Sequence, residues 1–175
     1  MTSFSTAPEW DKAISAIADS TSVLLLAHVT PDGDCLGSAL GLGLALQSMG
    51  KEVQVTVGEV GFETPASLSF LPGTQLIRAP EDLSPVDLVI SCDVSSDARL
   101  GSAKPILEAA PVSIAIDHHA SFTGFGTIHL VDPKAAATAE IILELIDRLE
   151  LPITKDIAGA IYSGLTTDTG SFKYQ

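Results

Sequence analysis

Three short, largely aliphatic runs in this chain each stop on a side chain of metal-ligand type, and this pattern restricts the fold more than any other feature. Val23 to Ala27 leads into His28, Val86 to Ser91 runs into Asp93, and Val112 to Ile116 runs into Asp117-His118-His119. Apolar runs of this length, without regular polar alternation, read as strands buried on both faces. Such strands belong to parallel sheets covered by helices on either side. Helical patterns fall between them: Pro8 to Ser20, Gly33 to Met49 with a stop at Gly50, Lys104 to Ala109, Ala136 to Leu149, and a last helix capped by Thr154 that ends near Leu165. The expectation is therefore an α/β chain, a three-layer α/β/α arrangement with a mainly parallel five-stranded sheet. Its strands should fall near residues 23–28, 52–57, 86–91, 112–116 and 127–131. A short helical piece is expected around Ser67 to Leu71. Gly37, Gly41 and Gly43 should let the second helix lie close to the sheet.

Length and composition narrow the function. A chain of 175 residues with 46% hydrophobic and 18% charged residues is long enough for one domain with its own core. The net charge of −13, nine basic residues against twenty-two acidic, argues against a protein that coats long nucleic acid. Small phosphorylated substrates remain compatible, because bound divalent cations could hold them. Two cysteines make no disulfide framework and fit a reducing, cytoplasmic compartment; Cys35 and Cys92 read as small buried residues. MTSFSTAPEW lacks a basic start and an apolar core, so no leader is expected, and no run of eighteen apolar residues suggests a membrane span.

The stretch LLLAHVTPDGDCLGS, Leu24 to Ser38, carries the most chemistry. Pro31 and Gly33 force a turn, so His28, Asp32 and Asp34 fall within seven residues where a strand hands over to a helix. Ligands of open α/β sheets bind at such places, and a helix N-terminus favours phosphate. The plain alternative for this stretch is a helix cap at Asp34 plus a surface histidine. Parallel strands, however, put their C-terminal ends on one edge of the sheet. The three clusters should converge there, and carboxylates without basic neighbours repel one another unless cations sit among them. A mixed set of imidazoles and carboxylates suits Mn²⁺, Mg²⁺, Fe²⁺ or Zn²⁺, and its richness in carboxylate leans to Mn²⁺ or Mg²⁺. Four Asp and two His suit two cations better than one. A fourth cluster, Thr166-Thr167-Asp168-Thr169-Gly170, is expected just after the last helix.

In order, His28-x3-Asp32-x-Asp34, Asp93, Asp117-His118-His119 and Thr167-Asp168-Thr169-Gly170 resemble the four motifs of the DHH phosphoesterase superfamily. Pro31-Asp32-Gly33-Asp34, Gly37-Ser38 and the ending through Ser171-Phe172 are most similar to its branch of bifunctional oligoribonucleases and pAp phosphatases. The resemblance covers residues 24–174. It implies a phosphohydrolase acting on short oligoribonucleotides and on pAp through a water activated by two divalent cations, Mn²⁺ first and Mg²⁺ second. His28 and Asp32 would hold one cation, Asp34, His118 and Asp168 the other, and Asp93 would bridge them. His119 would touch the substrate phosphate and assist the leaving group, with Asp117 orienting a histidine, and these two form the implied catalytic pair. The alternatives within this resemblance are a cyclic dinucleotide (c-di-AMP) phosphodiesterase, an inorganic pyrophosphatase, and a non-catalytic nucleotide-binding regulatory domain.

Arg99 and Lys173 are candidate phosphate contacts beside His119, and Lys104 is a further cation near the motifs. Ser38, Thr138 and His129 read as structural. The implied partners are short RNA or small phosphorylated nucleotides, with homodimers in a full-length parent. Residues 1–175 would then be the DHH-type catalytic domain. The resemblance also implies a C-terminal substrate-binding domain with a glycine- and histidine-containing motif, which would lie outside this chain.

Overall fold

The structure, a computed structural model, describes residues 6–174. The expectation that residues 1–5 carry no leader falls outside them. Five strands form one sheet: β1 (Ser22–Ala27), β2 (Glu52–Val57), β3 (Leu88–Cys92), β4 (Ser113–Asp117) and β5 (Ile128–Val131). The spatial order is β2-β1-β3-β4-β5, and every pairing is parallel. Five helices accompany them: α1 (Ala7–Asp19), α2 (Gly33–Ser48), α3 (Lys104–Ala109), α4 (Thr138–Arg148) and α5 (Lys155–Asp168).

The aliphatic runs fill both sides of the sheet. Val23, Leu25 and Ala27 of β1 join the larger core with α1, α2, α4 and α5. Leu24 and Leu26 point the other way, into a smaller core with Val89, Leu100, Ala103 and Leu107 under α3 and the 3-10 segment Asp97–Ala103. The expected α/β/α layering is present, with one thick helical layer and one thin one. Among the described residues, no helix is long and apolar enough to cross a membrane.

Strand order places the site. The chain steps from β1 outward to β2, then returns to the other side of β1 for β3. The loops leaving β1 and β3 therefore diverge, and a crevice opens at their C-terminal ends. His28 follows β1, Asp93 follows β3, and His118 and His119 follow β4.

Several sequence expectations are corrected. β3 begins at Leu88, not Val86, because the Asp87 carboxylate accepts from the amides of Thr21 and Ser22 and ties off the strand start. Residues 66–70 form turns, not a helix. Asp32, not Asp34, is the N-cap of α2: its Oδ1 accepts from the amides of Asp34 and Cys35 at 3.1 and 2.9 Å. Gly37 and Gly41 face α5, not the sheet, while Gly43 alone of the three meets side chains of β1 and β2. Lastly, α5 does not end near Leu165. It runs to Asp168, so Thr166 to Asp168 form its last turn.

Candidate metal centre

Two of the implied ligands are held by helix starts. In Asp32, Oδ1 is consumed by the α2 cap, which leaves Oδ2 facing His28 Nε2 at 3.9 Å. Asp34 lies in the first turn of α2, fully buried. Its Oδ2 accepts from the Thr138 amide at 2.7 Å and its Oδ1 from the Ala139 amide at 2.9 Å. No side chain of its own segment caps α4, so Asp34 does so from 104 residues away. Ser38 Oγ donates to Asp34 Oδ1 as well, at 3.2 Å. Gly164 of α5 makes room for this carboxylate, since a Cβ there would stand 2.7 Å from Asp34 Oδ1.

Asp93 sits at the centre. Its φ of +61° is in the left-handed region, a costly conformation for a side chain this size and one that clusters at functional sites. Its two oxygens face opposite ways. Oδ2 lies 3.7 Å from His28 Nε2, while Oδ1 lies 3.7 Å from His118 Nε2 and 3.6 Å from His119 Nδ1. His118 Nε2 is also 3.1 Å from Asp168 Oδ2. Donor atoms of Asp34, His118 and Asp168 lie within 4.8 Å of one another, as do those of Asp93, His118 and His119 and those of His28, Cys35 and Asp93.

The cysteine in the last group is occupied otherwise. Cys35 Sγ accepts from the His28 amide and donates to the Cys92 carbonyl, and burial pushes its thiol well up. It therefore stays protonated and packs beneath the site. Cys92 behaves alike, its thiol raised by burial. Both cysteines are free.

Charge crowding is severe. Burial, then the neighbouring Asp93, pushes the Asp34 carboxyl up to about 7. Burial likewise raises Asp168. Burial also works against the charge on Asp93, but the His28 imidazole, the Thr138 hydroxyl and the imidazoles of His119 and His118 outweigh it and hold its carboxyl below the ordinary range. His119 donates from Nδ1 to Asp117 Oδ1 at 2.7 Å, and this raises the imidazole to about 9. Asp117 is fully buried, and its Oδ2 has no hydrogen-bond partner among the described residues. The donor set fits divalent cations: carboxylate oxygens and imidazole nitrogens converge with few cationic side chains to balance them, and the upward shifts of Asp34 and Asp168 are the mark of that crowding.

Of the other predicted residues, Arg99 reaches the site: its Nη2 lies 3.0 Å from His28 Nδ1 and 3.3 Å from Nε2. Lys173 is exposed, five residues beyond Asp168. Lys104 is not a spare cation, because it pairs with Asp97 at 2.7 Å and Glu108 at 3.7 Å. Thr138 is more than the structural hydroxyl expected from sequence, since its Oγ1 donates to Asp93 Oδ1 at 2.8 Å. His129 is structural as expected; Nε2 lies 3.0 Å from the Phe125 carbonyl.

Comparison with known proteins gives the family. Residues 22–165 match the model of the DHH family, N-terminal domain, and the chain belongs to that family. It is 36% identical over 156 residues to a bifunctional oligoribonuclease and PAP phosphatase NrnA of Thermus thermophilus, covering 87% of this chain and 44% of that protein. The crystal structure of an exopolyphosphatase-related protein from Bacteroides fragilis superposes with a TM-score of 0.88 at 30% identity, covering 99% of this chain and 54% of the other. The exonuclease RecJ bound to manganese shares the fold alone, with a TM-score of 0.55 at 17% identity over 94% of this chain and 43% of that one. The chain spans about half the length of the curated relatives it matches.

Proposed function

We propose that residues 1–175 are the catalytic domain of a divalent-cation-dependent phosphohydrolase. Its substrates are short oligoribonucleotides and 3′-phosphorylated adenosine nucleotides such as pAp. One observation carries the reading: the Asp93 carboxylate, held in a left-handed backbone, aims one oxygen at His28 and the other at His118. A carboxylate that serves two donor groups is what a pair of cations needs. His28 and Asp32 would hold one, Asp34, His118 and Asp168 the other, with Mn²⁺ preferred over Mg²⁺ and Asp93 shared. Bound there, such cations lower the pKa of a water and stabilise charge on a phosphoryl group.

The chain's own residues do the rest. The hydrogen bond from Nδ1 to the Asp117 carboxylate raises the His119 imidazole and favours its protonated form. It stands 35% exposed beside the buried carboxylates, placed to contact a phosphate oxygen and to give its proton to the departing oxygen. Arg99 supplies the nearest guanidinium and would take the phosphate from the His28 side. The similarity to the Thermus oligoribonuclease and PAP phosphatase supports nucleotides as substrates. The free cysteines support a reducing compartment, the cytoplasm.

Hydrolysis of pAp, a diribonucleotide and pyrophosphate, each with Mn²⁺, tests the reading. The expected order puts pAp and the dinucleotide ahead of pyrophosphate, with all turnover lost in Asp93→Asn. Turnover of pyrophosphate ahead of both nucleotides, or an active Asp93→Asn, would overturn it.

A further inference from the structure

We propose that Thr138 is a positioning residue that holds Asp93 in its two-sided orientation and so governs retention of the second cation; this rests on the two-cation reading above. Asp93 needs a fixed side-chain torsion to serve two sides. Its imidazole neighbours stand 3.6–3.7 Å from its oxygens, outside hydrogen-bond range, so they do not fix that torsion. The Thr138 hydroxyl does reach it, donating to Oδ1 at 2.8 Å. That donor is fully buried.

The same residue also touches Asp34, the carboxylate given above to the His118-side cation, which is the second cation meant here. Its backbone amide donates to Asp34 Oδ2 at 2.7 Å, and the next amide, of Ala139, donates to Asp34 Oδ1. Thr138 is the first residue of α4, so the hydroxyl and both amides are carried by one rigid turn. The start of α4 thereby fixes the spacing between Asp34, on α2, and Asp93, beyond β3. Outer hydrogen-bond partners of metal ligands are worth about 10- to 100-fold in metal affinity. A hydroxyl that donates to Oδ1 leaves that oxygen's other lone pair free for the His118 side and Oδ2 free for the His28 side.

Titration of Mn²⁺ into the chain by calorimetry, on wild type, Thr138→Val and Thr138→Ser, tests this. Valine keeps the shape and removes the donor, whereas serine keeps the donor. Wild type should bind two Mn²⁺. Thr138→Val should hold one with nearly unchanged affinity and bind the second about 10- to 100-fold more weakly. Thr138→Ser should match wild type. Melting in excess chelator is read alongside, because a purely packing role would lower that melting point and leave the binding isotherm of the folded chain unchanged. Two tight Mn²⁺ in Thr138→Val overturn the role given to Thr138 while leaving the two-cation reading intact. Loss of the second cation in Thr138→Ser overturns it also, and does so even if the valine variant fails to fold. Fewer than two Mn²⁺ in wild type overturn the two-cation reading and this proposal together.

Discussion

Gly37→Ala should destabilise the chain although alanine is the better helix former. An added Cβ would stand 2.6 Å from the Ala160 carbonyl oxygen and 3.2 Å from the Gly164 nitrogen, where ordinary contact begins at 3.4 Å. Both atoms are α5 backbone, so no side-chain rotation relieves the overlap and the helices must part. Helix propensity favours the change by about 1 kcal/mol. Overpacking costs typically about 1–3 kcal/mol, and a backbone clash lies at the upper end. The net loss should be about 1–2 kcal/mol, a fall in melting temperature of about 2–8 °C for a chain of this length. Asp168 closes α5 and faces His118 at 3.1 Å, so parting the helices should also weaken Mn²⁺ binding. Gly159→Ala is the control: it sits on α5, the helix that Gly37 faces, and its added Cβ meets Pro72 Cγ at an ordinary contact distance of 3.8 Å. It should raise the melting temperature. The measurement is thermal unfolding of both variants with and without Mn²⁺. A Gly37→Ala protein that melts at or above wild type would refute the close approach of α2 to α5 and the reasoning built on it.

Without divalent cations, stability should fall as pH rises. A carboxyl raised to about 7 in the folded chain, against about 3.9 unfolded, favours folding while protonated, so the Asp34 contribution is present below about pH 4 and lost by about pH 7. Melting in chelator from pH 4 to 8 should show this decline, and Asp34→Asn should flatten it; an equal slope in the variant would contradict the assignment. His119, raised to about 9, contributes stability that is present below its unfolded value of about 6.5 and lost as pH climbs through 9. In Asp117→Asn the His119 imidazole should titrate nearer its ordinary value, read by NMR, and turnover at pH 8 should drop as its proton is lost; an unchanged titration would show that Asp117 does not set it. Arg99→Ala should raise KM for pAp more than it lowers kcat, because its role is to grip phosphate; a pure kcat loss would assign it to the chemistry instead.

Much of this was legible in the residues, for a physical reason. A strand buried on both faces must be aliphatic throughout, so His28 and Asp93 stand out at the ends of β1 and β3, and parallel pairing brings such ends together. What the sequence hid was side-chain traffic between distant elements. Nothing near Asp34 signals that it caps α4, since the amides it serves are 104 and 105 residues away. Thr138 looks like an ordinary residue at a helix start until Asp93 is placed beside it. The end of α5 is hard to see in the residues because threonines disfavour helix interiors. Here their hydroxyls turn back onto the helix: Thr166 Oγ1 donates to the Tyr162 carbonyl and Thr167 Oγ1 to that of Ser163, so the helix continues and carries Asp168 into the site. The glycines of α2 were legible as close-packing residues, but which neighbour they meet depends on the packing of α5.

The central claim is a pair of cations sharing Asp93. Anomalous diffraction at the manganese edge, from crystals of the chain soaked in Mn²⁺, addresses it most directly. The account predicts two peaks on either side of the Asp93 carboxylate, one against His28 and Asp32, the other against Asp34, His118 and Asp168. A single peak, or two that do not share Asp93, would contradict it.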